Sequence, residues 1–426
     1  MIAKHSFPWG GLLLAFASIT TALAADDFDK ILKPLFAKNC IKCHGEEKVK
    51  GKVNLKEIAT AKQFLSKPEL IRELIEVIDV SDMPPEDEPQ LTETQRTKLL
   101  TTLKAQLRVA TAGVESKHLP IRRLNRFQYN NSVRDLFQLN RDIFGLSEKL
   151  MTRQKNYLNA ASKKMPDRVN VTSHALKPKP GMQGVRAFPK DLRASHGFDN
   201  QANQLTLSPL HLDAFLRLSV SILDSPDFNK DSVGIWSEFF KAPPEDADIE
   251  TEVRKRLGPF LDQAFRNSID DATLNRYTSF ALSKVNQGLS FPASMKKSAA
   301  AALSSPMFLY RYSATKAKNN PFALASNLSF FLWASSPDAE LLRLAETGEL
   351  AKPEVLNKTI DRMLASPKIE RFLDTFPAQW MQLENVLAAT PDPGKHRYFS
   401  LDKNNPASLQ MLMEPLLLFD AVFIED

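Results

Sequence analysis

Cysteine, histidine and recognisable catalytic motifs are scarce in this chain of 426 residues, which has two cysteines and seven histidines. The cysteines have no further Cys or His partners at the short spacing of a structural zinc site. No H-E-x-x-H, G-x-S-x-G, P-loop or G-x-G-x-x-G segment occurs, so hydrolase and nucleotide-binding chemistry have no signature here. Whether the protein is an enzyme therefore stays open, and its catalytic residues are unknown.

The composition is that of an ordinary soluble globular protein. Hydrophobic residues make up 43% and charged residues 25%, and the length predicts roughly two to four domains. The net charge of +6 is mild for this size and does not indicate nucleic-acid binding. Basic residues are concentrated at 151–190, which we interpret as a solvated insert, with a docking surface for an anionic partner as the alternative.

The first residues have the pattern of a secretory signal peptide. A polar start with Lys4 and His5 precedes an apolar stretch at 11–19, and small residues follow at 22–24. The pattern predicts a signal peptide at 1–24, cleaved after Ala24, and a protein exported to the periplasm or cell surface. An uncleaved anchor is the alternative, but the apolar stretch is shorter than the ~20 residues that a membrane span needs. No transmembrane segment is predicted in the mature chain.

Both cysteines belong to one C-x-x-C-H segment formed by Cys40, Cys43 and His44. In such a segment two thiolates reach the two vinyl groups of one haem, and the adjacent imidazole points at the iron. A disulfide does not require the adjacent histidine, and a thioredoxin-like redox pair needs a βαβ context that is not visible. The segment therefore predicts one covalently bound haem c.

The residues around this segment predict three short helices. Apolar residues at helical spacing fill 28–36, directly before the cysteines. Ser66 is a candidate N-cap for a second helix, and Thr92 with Gln95 has the form of a capping box for a third. Three helices around a loop are about what is needed to enclose a haem.

A methionine between the second and third helices is a candidate for the sixth iron ligand. Met83 lies in a loop, directly before Pro84 and Pro85, which would hold that loop stiff. A thioether ligand raises the potential of the iron, which suits electron transfer. The alternative is a methionine that fills a gap in the core, but Met83 does not lie on an apolar stripe. His44 and Met83 are thus the predicted metal ligands.

The segment from Ile31 to Leu107, with I-L-K-P-L, C-x-x-C-H and M-P-P, resembles the planctomycete-type cytochrome c domain. The resemblance implies the small all-helical class I cytochrome c fold for 25–115. It also implies that His44 and Met83 are the axial ligands of the haem iron.

The remainder resembles the blocks that follow the cytochrome in large exported proteins of the same family. The markers are L-P-I-R-R-L-N-R-F at 119–127, S-P-M-F-L-Y-R at 305–311 and L-S-F-F-L-W at 328–333. The resemblance implies helical domains of unknown function at 119–225 (with the basic insert), 250–314 and 320–426. Such proteins usually continue further, so we expect the last domain to be truncated.

Residue patterns in these blocks also predict helices, and hence a mainly α chain. Pro259 follows a glycine and suits the first position of a helix. Trp333 and Trp380 are most simply core aromatic residues. Four arginines in the first block are expected to be solvated or to form local ion pairs, with binding of an acidic group or a haem propionate as the alternative: Arg122, Arg123, Arg126 and Arg134.

Three functional hypotheses follow from these patterns. The first is an exported electron-transfer protein, because a haem with His and Met ligands has no open coordination position and exchanges electrons with a redox partner protein. The second is a cytochrome-coupled oxidoreductase whose helical body acts on an unknown substrate. The third is an interaction or scaffold protein at the cell surface that carries a haem.

Overall fold

The computed structural model describes residues 26–112, 121–155, 157–159, 162–173, 175, 177–194, 197–202, 205, 209–311, 320–388, 392, 394–396 and 407–425. The predicted signal peptide at 1–24 lies outside these residues. Most of the described chain is helical, which confirms the prediction of a mainly α protein. The chain divides into two compact units, residues 1–117 and 118–426.

The first unit consists of short helices around one apolar core. In chain order they are a π-helical turn at Phe28–Leu32, α1 (Lys33–Asn39), a 3-10 turn at Lys50–Lys52, α2 (Ala61–Leu65), α3 (Pro68–Asp79) and α4 (Glu93–Ala112). Phe64 of α2 lies deep in this core, with ring centroids 5.2 Å from Phe28 and 6.0 Å from Phe36. Helix α2 is not predicted from the sequence, yet Phe64 packs against the helical segment that leads to the cysteines.

Two predicted helix starts have different outcomes. The capping box at the third predicted helix, α4, is present: the amide of Thr92 donates to Oε1 of Gln95 at 3.0 Å, and the amide of Gln95 donates to Oγ1 of Thr92 at 3.3 Å. The prediction that Ser66 caps the second helix is wrong. Ser66 ends α2, where its hydroxyl donates to the carbonyl of Gln63, and α3 begins at Pro68 because a proline suits the first helical position.

Helices also dominate the second unit. The α-helices are α5 (Arg126–Phe137), α6 (Pro209–Asp224), α7 (Ile249–Phe265), α8 (Asp271–Asn286), α9 (Phe291–Leu303), α10 (Pro306–Leu309), α11 (Pro321–Leu332), α12 (Ala339–Glu346), α13 (Pro353–Leu364), α14 (Glu370–Trp380), α15 (Glu384–Ala388) and α16 (Ala407–Glu425). Shorter turns are the π-helical Trp236–Phe240 and the 3-10 turns Glu349–Ala351 and Pro367–Ile369. In the described residues, antiparallel strands pair β1 (Arg122–Arg123) with β4 (Tyr310–Arg311), and β2 (Met151–Arg153) with β3 (Val171–Ser173).

One large core joins residues of all three predicted helical domains, from Leu124 to Ala334. Tyr129 of α5 lies among aromatic rings from distant segments, with centroids 5.7 Å from Phe215 and 5.6 Å from Phe308. The segments predicted as 119–225 and 250–314 therefore share a core.

The prediction that Pro259 begins a helix is wrong. Helix α7 begins ten residues earlier at Ile249, where the side chain of Asp248 caps the first turn, and Pro259 lies inside the helix. A proline in a helix interior removes one hydrogen bond and costs about 3 kcal/mol. Leu257 and Leu261 on either side of it are buried in the core, and this burial offsets the cost.

The basic segment 151–190 is only partly solvated. Met151 belongs to a buried cluster with Leu412 and Leu416 of α16. The side chain of Arg153 is 1% exposed and lies between two carboxylates of the same body. The interpretation as a solvated insert is therefore wrong for β2, whereas lysines farther along the segment are exposed: Lys155, Lys164, Lys177 and Lys179.

Three of the four arginines of the first block are ion-paired, with partners 8 to 68 positions away in the sequence, so the predicted pairing is found but is not all local. The pairs are Arg123 with Asp191, Arg126 with Glu148 at 3.5 Å, and Arg134 with Asp142 at 2.6 Å. Arg122 differs, because no carboxylate of the described residues lies within ion-pair distance of it.

The two tryptophans have different surroundings. Trp333 is buried, and its Nε1 donates to the carbonyl of Met363 at 3.0 Å, which confirms it as a core residue. The prediction of a core position is wrong for Trp380, which is 59% exposed at the end of α14 and stacks on Phe376 at 6.2 Å.

Helix α16 is long and apolar enough to cross a membrane by length and composition alone. It also carries a buried carboxylate, Asp420, whose Oδ2 accepts hydrogen bonds from Nε of Arg153 at 2.8 Å and from the hydroxyl of Tyr157 at 2.7 Å. These contacts join α16 to the remainder of the second unit.

Gly197 lies directly against α14. The amide of Gly197 donates to the carbonyl of Ala194 at 2.8 Å, and the backbone of Gly197 has a φ of +91°. A Cβ at this position would overlap the backbone oxygen of Gln379 in α14. Glycine is therefore required both by the backbone conformation and by the approach of the helix.

We expect Gly197→Ala to destabilise the second unit by roughly 1–3 kcal/mol more than Gly288→Ala. Gly288 is a matched control, because its φ is +88° but no atom lies near its missing Cβ. Differential scanning calorimetry of the full-length protein measures both changes. Equal shifts in Tm for the two variants would contradict the close contact with α14.

Candidate haem site

The predicted haem-attachment segment forms a tight turn directly after α1. The amide of Cys40 donates to the carbonyl of Phe36 at 2.9 Å and so ends the helix. The amides of Cys43 and His44 then both donate to the carbonyl of Cys40, at 3.1 and 2.9 Å. Because one carbonyl accepts both bonds, the two cysteines and the histidine are held on a single turn of backbone.

The backbone after His44 is also held by hydrogen bonds. The carbonyl of His44 accepts a hydrogen bond from the amide of Leu55 at 2.8 Å, and His44 forms an antiparallel bridge with Val49. At Gly45 a Cβ would lie 2.6 Å from the carbonyl oxygen of Ile41. A glycine is therefore needed immediately after the histidine for the chain to turn back.

The loop with Met83 is held by backbone and side-chain bonds. The amide of Met83 donates to the carbonyl of Val77 at the end of α3, at 3.2 Å. Nε2 of Gln90 lies within hydrogen-bond distance of three carbonyls of the loop, those of Pro84 at 3.2 Å, Pro85 at 2.7 Å and Glu88 at 3.0 Å. One amide side chain thus organises the whole loop that carries the thioether.

All four predicted site residues line one cavity of about 350 Å³: Cys40, Cys43, His44 and Met83. This volume lies in the range of about 300–1,000 Å³ that is usual for cofactor sites. Most of the other lining side chains are apolar and come from α1, α3, α4 and the loops: Leu35, Val53, Leu55, Leu70, Leu74, Val77, Ile78, Pro84, Pro85, Leu91 and Leu99. Residues far apart in the sequence are therefore brought together around one apolar space.

The residues at this cavity fit a covalently attached haem. His44 lines the cavity, and Nδ1 of its ring is buried with no hydrogen-bond partner among the described residues. Cys40 and Cys43 are free thiols, available for two thioether bonds. The wall offers the apolar surface that a porphyrin needs.

The alternatives for the two cysteines fit less well. Burial raises the pKa of the Cys40 thiol to about 11, whereas a reactive redox pair requires a lowered pKa. Among the described residues, no group of three or more His, Cys, Asp or Glu side chains is arranged to hold a metal ion. A haem iron needs only the two protein ligands that His44 and Met83 would supply.

Charged residues that the sequence analysis does not single out lie at the wall of this cavity. Nζ of Lys42, from the C-x-x-C-H segment, lies 2.5 Å from Oε1 of Glu88, in the loop of Met83. Lys50 and Glu73 also line the cavity. The ion pair joins the two segments that carry the predicted iron ligands, and only the folded chain shows it because the two residues are 46 positions apart.

Comparisons with known families identify segments of the second unit. Residues 122–157 and 180–225 match DUF1587, residues 252–312 match DUF1595, and residues 320–426 match DUF1592, each described as a protein of unknown function. No curated protein and no solved structure matches the chain significantly. The matches lie outside residues 26–112, so the resemblance to cytochrome c stays a prediction. In its second unit, the chain thus carries three planctomycete-type domains of unknown function in succession.

Proposed function

We propose that this protein is an exported c-type cytochrome that transfers electrons through a single covalently bound haem. The observation that carries the proposal is the cavity of the first unit, whose apolar wall includes Cys40, Cys43, His44 and Met83. The signal-peptide pattern at 1–24 supports export to the periplasm or cell surface.

The side chains at the cavity have distinct tasks in this proposal. The thiols of Cys40 and Cys43 hold the cofactor, and the backbone bonds around His44 fix the position of its imidazole. When bound, haem c would supply a one-electron couple, and His44 and Met83 would be the side chains that bind its iron and leave no position for oxygen or peroxide. The apolar side chains exclude water, and Gln90 holds the loop that presents Met83.

A second protein is the expected electron donor or acceptor. A saturated haem exchanges electrons across the protein surface rather than by binding a substrate at the iron. The redox partner is not identified by the sequence. We place no nucleic acid among the partners, because the net charge is only mildly positive.

We expect the mature protein, purified after co-expression with the cytochrome c maturation machinery, to contain one haem that resists extraction by acidified acetone. A pyridine haemochrome spectrum of the c type measures this. The double variant Cys40→Ala, Cys43→Ala should lose the covalent haem, because both attachment sulfurs are gone. Wild-type protein without covalent haem would contradict the proposal, and the two cysteines would then be a disulfide or a thiol pair.

The second expectation concerns the sixth ligand. Met83→Ala should retain the covalent haem but lose the Met–iron absorption band at the red edge of the spectrum. Its reduction potential should fall by more than about 59 mV, a tenfold change in a one-electron equilibrium. Met411→Ala is the matched control, because Met411 lies on α16 of the second unit and is half exposed. An unchanged spectrum in the Met83 variant would show that another group binds the iron.

A further inference from the structure

The second unit contains a cavity of about 480 Å³ that the electron-transfer proposal does not use. Its wall is built from all three matched domains: Arg122, Asn125 and Asp199 come from the first, Arg311 from the second, and Phe372 and Gln379 from the third. The volume again lies in the range of about 300–1,000 Å³ that is usual for small-molecule sites. A binding site in this cavity would be formed jointly by the three domains.

Two arginines lie side by side on this wall, and neither has an ion-pair partner among the described residues. Arg122 and Arg311 are direct cross-strand partners of β1 and β4. Their side chains have no carboxylate within ion-pair distance among the described residues, although the three other arginines near the start of this unit are all paired. Like charges on directly opposite strand positions are destabilising. An unpaired arginine couple at a cavity therefore indicates that an anion is the missing partner.

The surroundings of Arg311 strengthen this argument. Nη2 of Arg311 donates to Oδ1 of Asn327 at 2.9 Å, and its guanidinium lies 4.5 Å from the ring centroid of Phe330. Its Nε is buried without a hydrogen-bond partner. Burial and the neighbouring charge of Arg122 lower the pKa of Arg311 to about 10. The negative charge of an anion between the two arginines would favour the charged form of Arg311 against both effects, and the anion could give Nε an acceptor.

Another part of the wall is aromatic. Phe372 stacks on Phe376 with a centroid distance of 5.0 Å and an interplanar angle of 16°. Phe331 lies 5.3 Å from Phe372, and Phe198 lies 5.8 Å from Phe376. Rings at these distances offer both faces and edges to a further aromatic ring. A simple inorganic anion would leave this apolar surface without a contact.

A polar group of side chains completes the cavity. Nδ2 of Asn125 donates to Oδ1 of Asp199 at 2.9 Å, and Gln379 also contacts this aspartate. Burial raises the pKa of Asp199. Asn125 is itself fixed as the N-cap of α5, since it accepts a hydrogen bond from the amide of Gln128 at 2.8 Å. These groups can accept a hydrogen bond from a hydroxyl substituent of a ligand or donate one to it.

We propose that this cavity binds a small aromatic carboxylate of the hydroxybenzoate class, with its carboxylate on Arg122 and Arg311 and its ring against Phe372 and Phe376. A guanidinium matches a carboxylate in geometry and can bind it through two parallel hydrogen bonds. The site is separate from the haem cavity and lies entirely within the second unit. Binding is the whole of the proposal, and no chemical change of the ligand is part of it.

Isothermal titration calorimetry of the full-length protein with 4-hydroxybenzoate tests the proposal. We expect binding that Arg311→Gln weakens at least ~10-fold, because one charge-assisted pair of hydrogen bonds is lost. Arg311→Lys should restore part of the affinity through its charge. Arg217→Gln is the matched control, because Arg217 is an exposed arginine of α6 with a local partner, Asp213. Circular dichroism of each variant shows whether it is folded.

Three related compounds separate the features of the ligand. Neutral 4-hydroxybenzyl alcohol should bind at least ~10-fold more weakly than 4-hydroxybenzoate, because it has no carboxylate for the arginines. Acetate and glucuronate should also bind more weakly, because they have no aromatic ring for the phenylalanines. Equal binding of the alcohol would overturn the role of the arginines, and equal binding of either other acid would overturn the role of the rings. No binding of 4-hydroxybenzoate at concentrations up to about 10 mM, beyond the weak millimolar range, would overturn the site itself.

Discussion

A single buried guanidinium joins three segments of the second unit that are far apart in the sequence. Arg153 of β2 donates to Asp374 of α14 and to Asp420 of α16, across 221 and 267 residues. Burying these charges is costly unless each has a partner, and removing one partner of such a cluster typically costs about 3–5 kcal/mol. Because α14 also carries Phe372, Phe376 and one side of the aromatic cavity, the position of that wall depends on this cluster. Burial, together with the nearby charge of Glu370, raises the pKa of Asp374 to about 7, although Arg153 opposes the rise.

The cavity of the first unit, which we propose holds haem, differs because most of its predicted site residues can be recognised in the sequence. The C-x-x-C-H segment is local, so its residue types and spacing alone predict which side chains share a turn. Met83 is 39 positions after His44, but its loop stands out because two prolines follow it. The side-chain contacts that hold this loop in place could not be predicted from the sequence. Gln90 has no pattern that marks it, and the pair of Lys42 with Glu88 depends on the folded arrangement of the two segments.

The wrong predictions share one cause. Contacts between distant segments override the structure that local residue patterns favour. Pro259 has the local chemistry of a helix start, but α7 extends through it because residues on either side enter the core. The basic composition of 151–190 indicates a solvated segment, yet Arg153 finds carboxylates from the far end of the chain. Trp380 is exposed because it ends α14 on the side away from the core, and no local pattern carries that information.

The arginines of the first block show the same limit of prediction from local sequence. They also show how a departure from the expected pairing can indicate a ligand. They are predicted to be solvated or locally ion-paired, and three of the four are ion-paired, although Arg123 pairs with Asp191, 68 positions later in the sequence. Arg122 has no such ion pair, because its cross-strand partner is another arginine. This partner is Arg311, nearly 190 positions later in the sequence. A chain selected only for stability would be expected to place a carboxylate opposite one of these arginines, since like charges on paired strands repel. The unpaired couple beside stacked rings is therefore better explained by a ligand than by folding. On this argument each unit holds its own site, and we propose electron exchange for the first and recognition of an aromatic acid for the second.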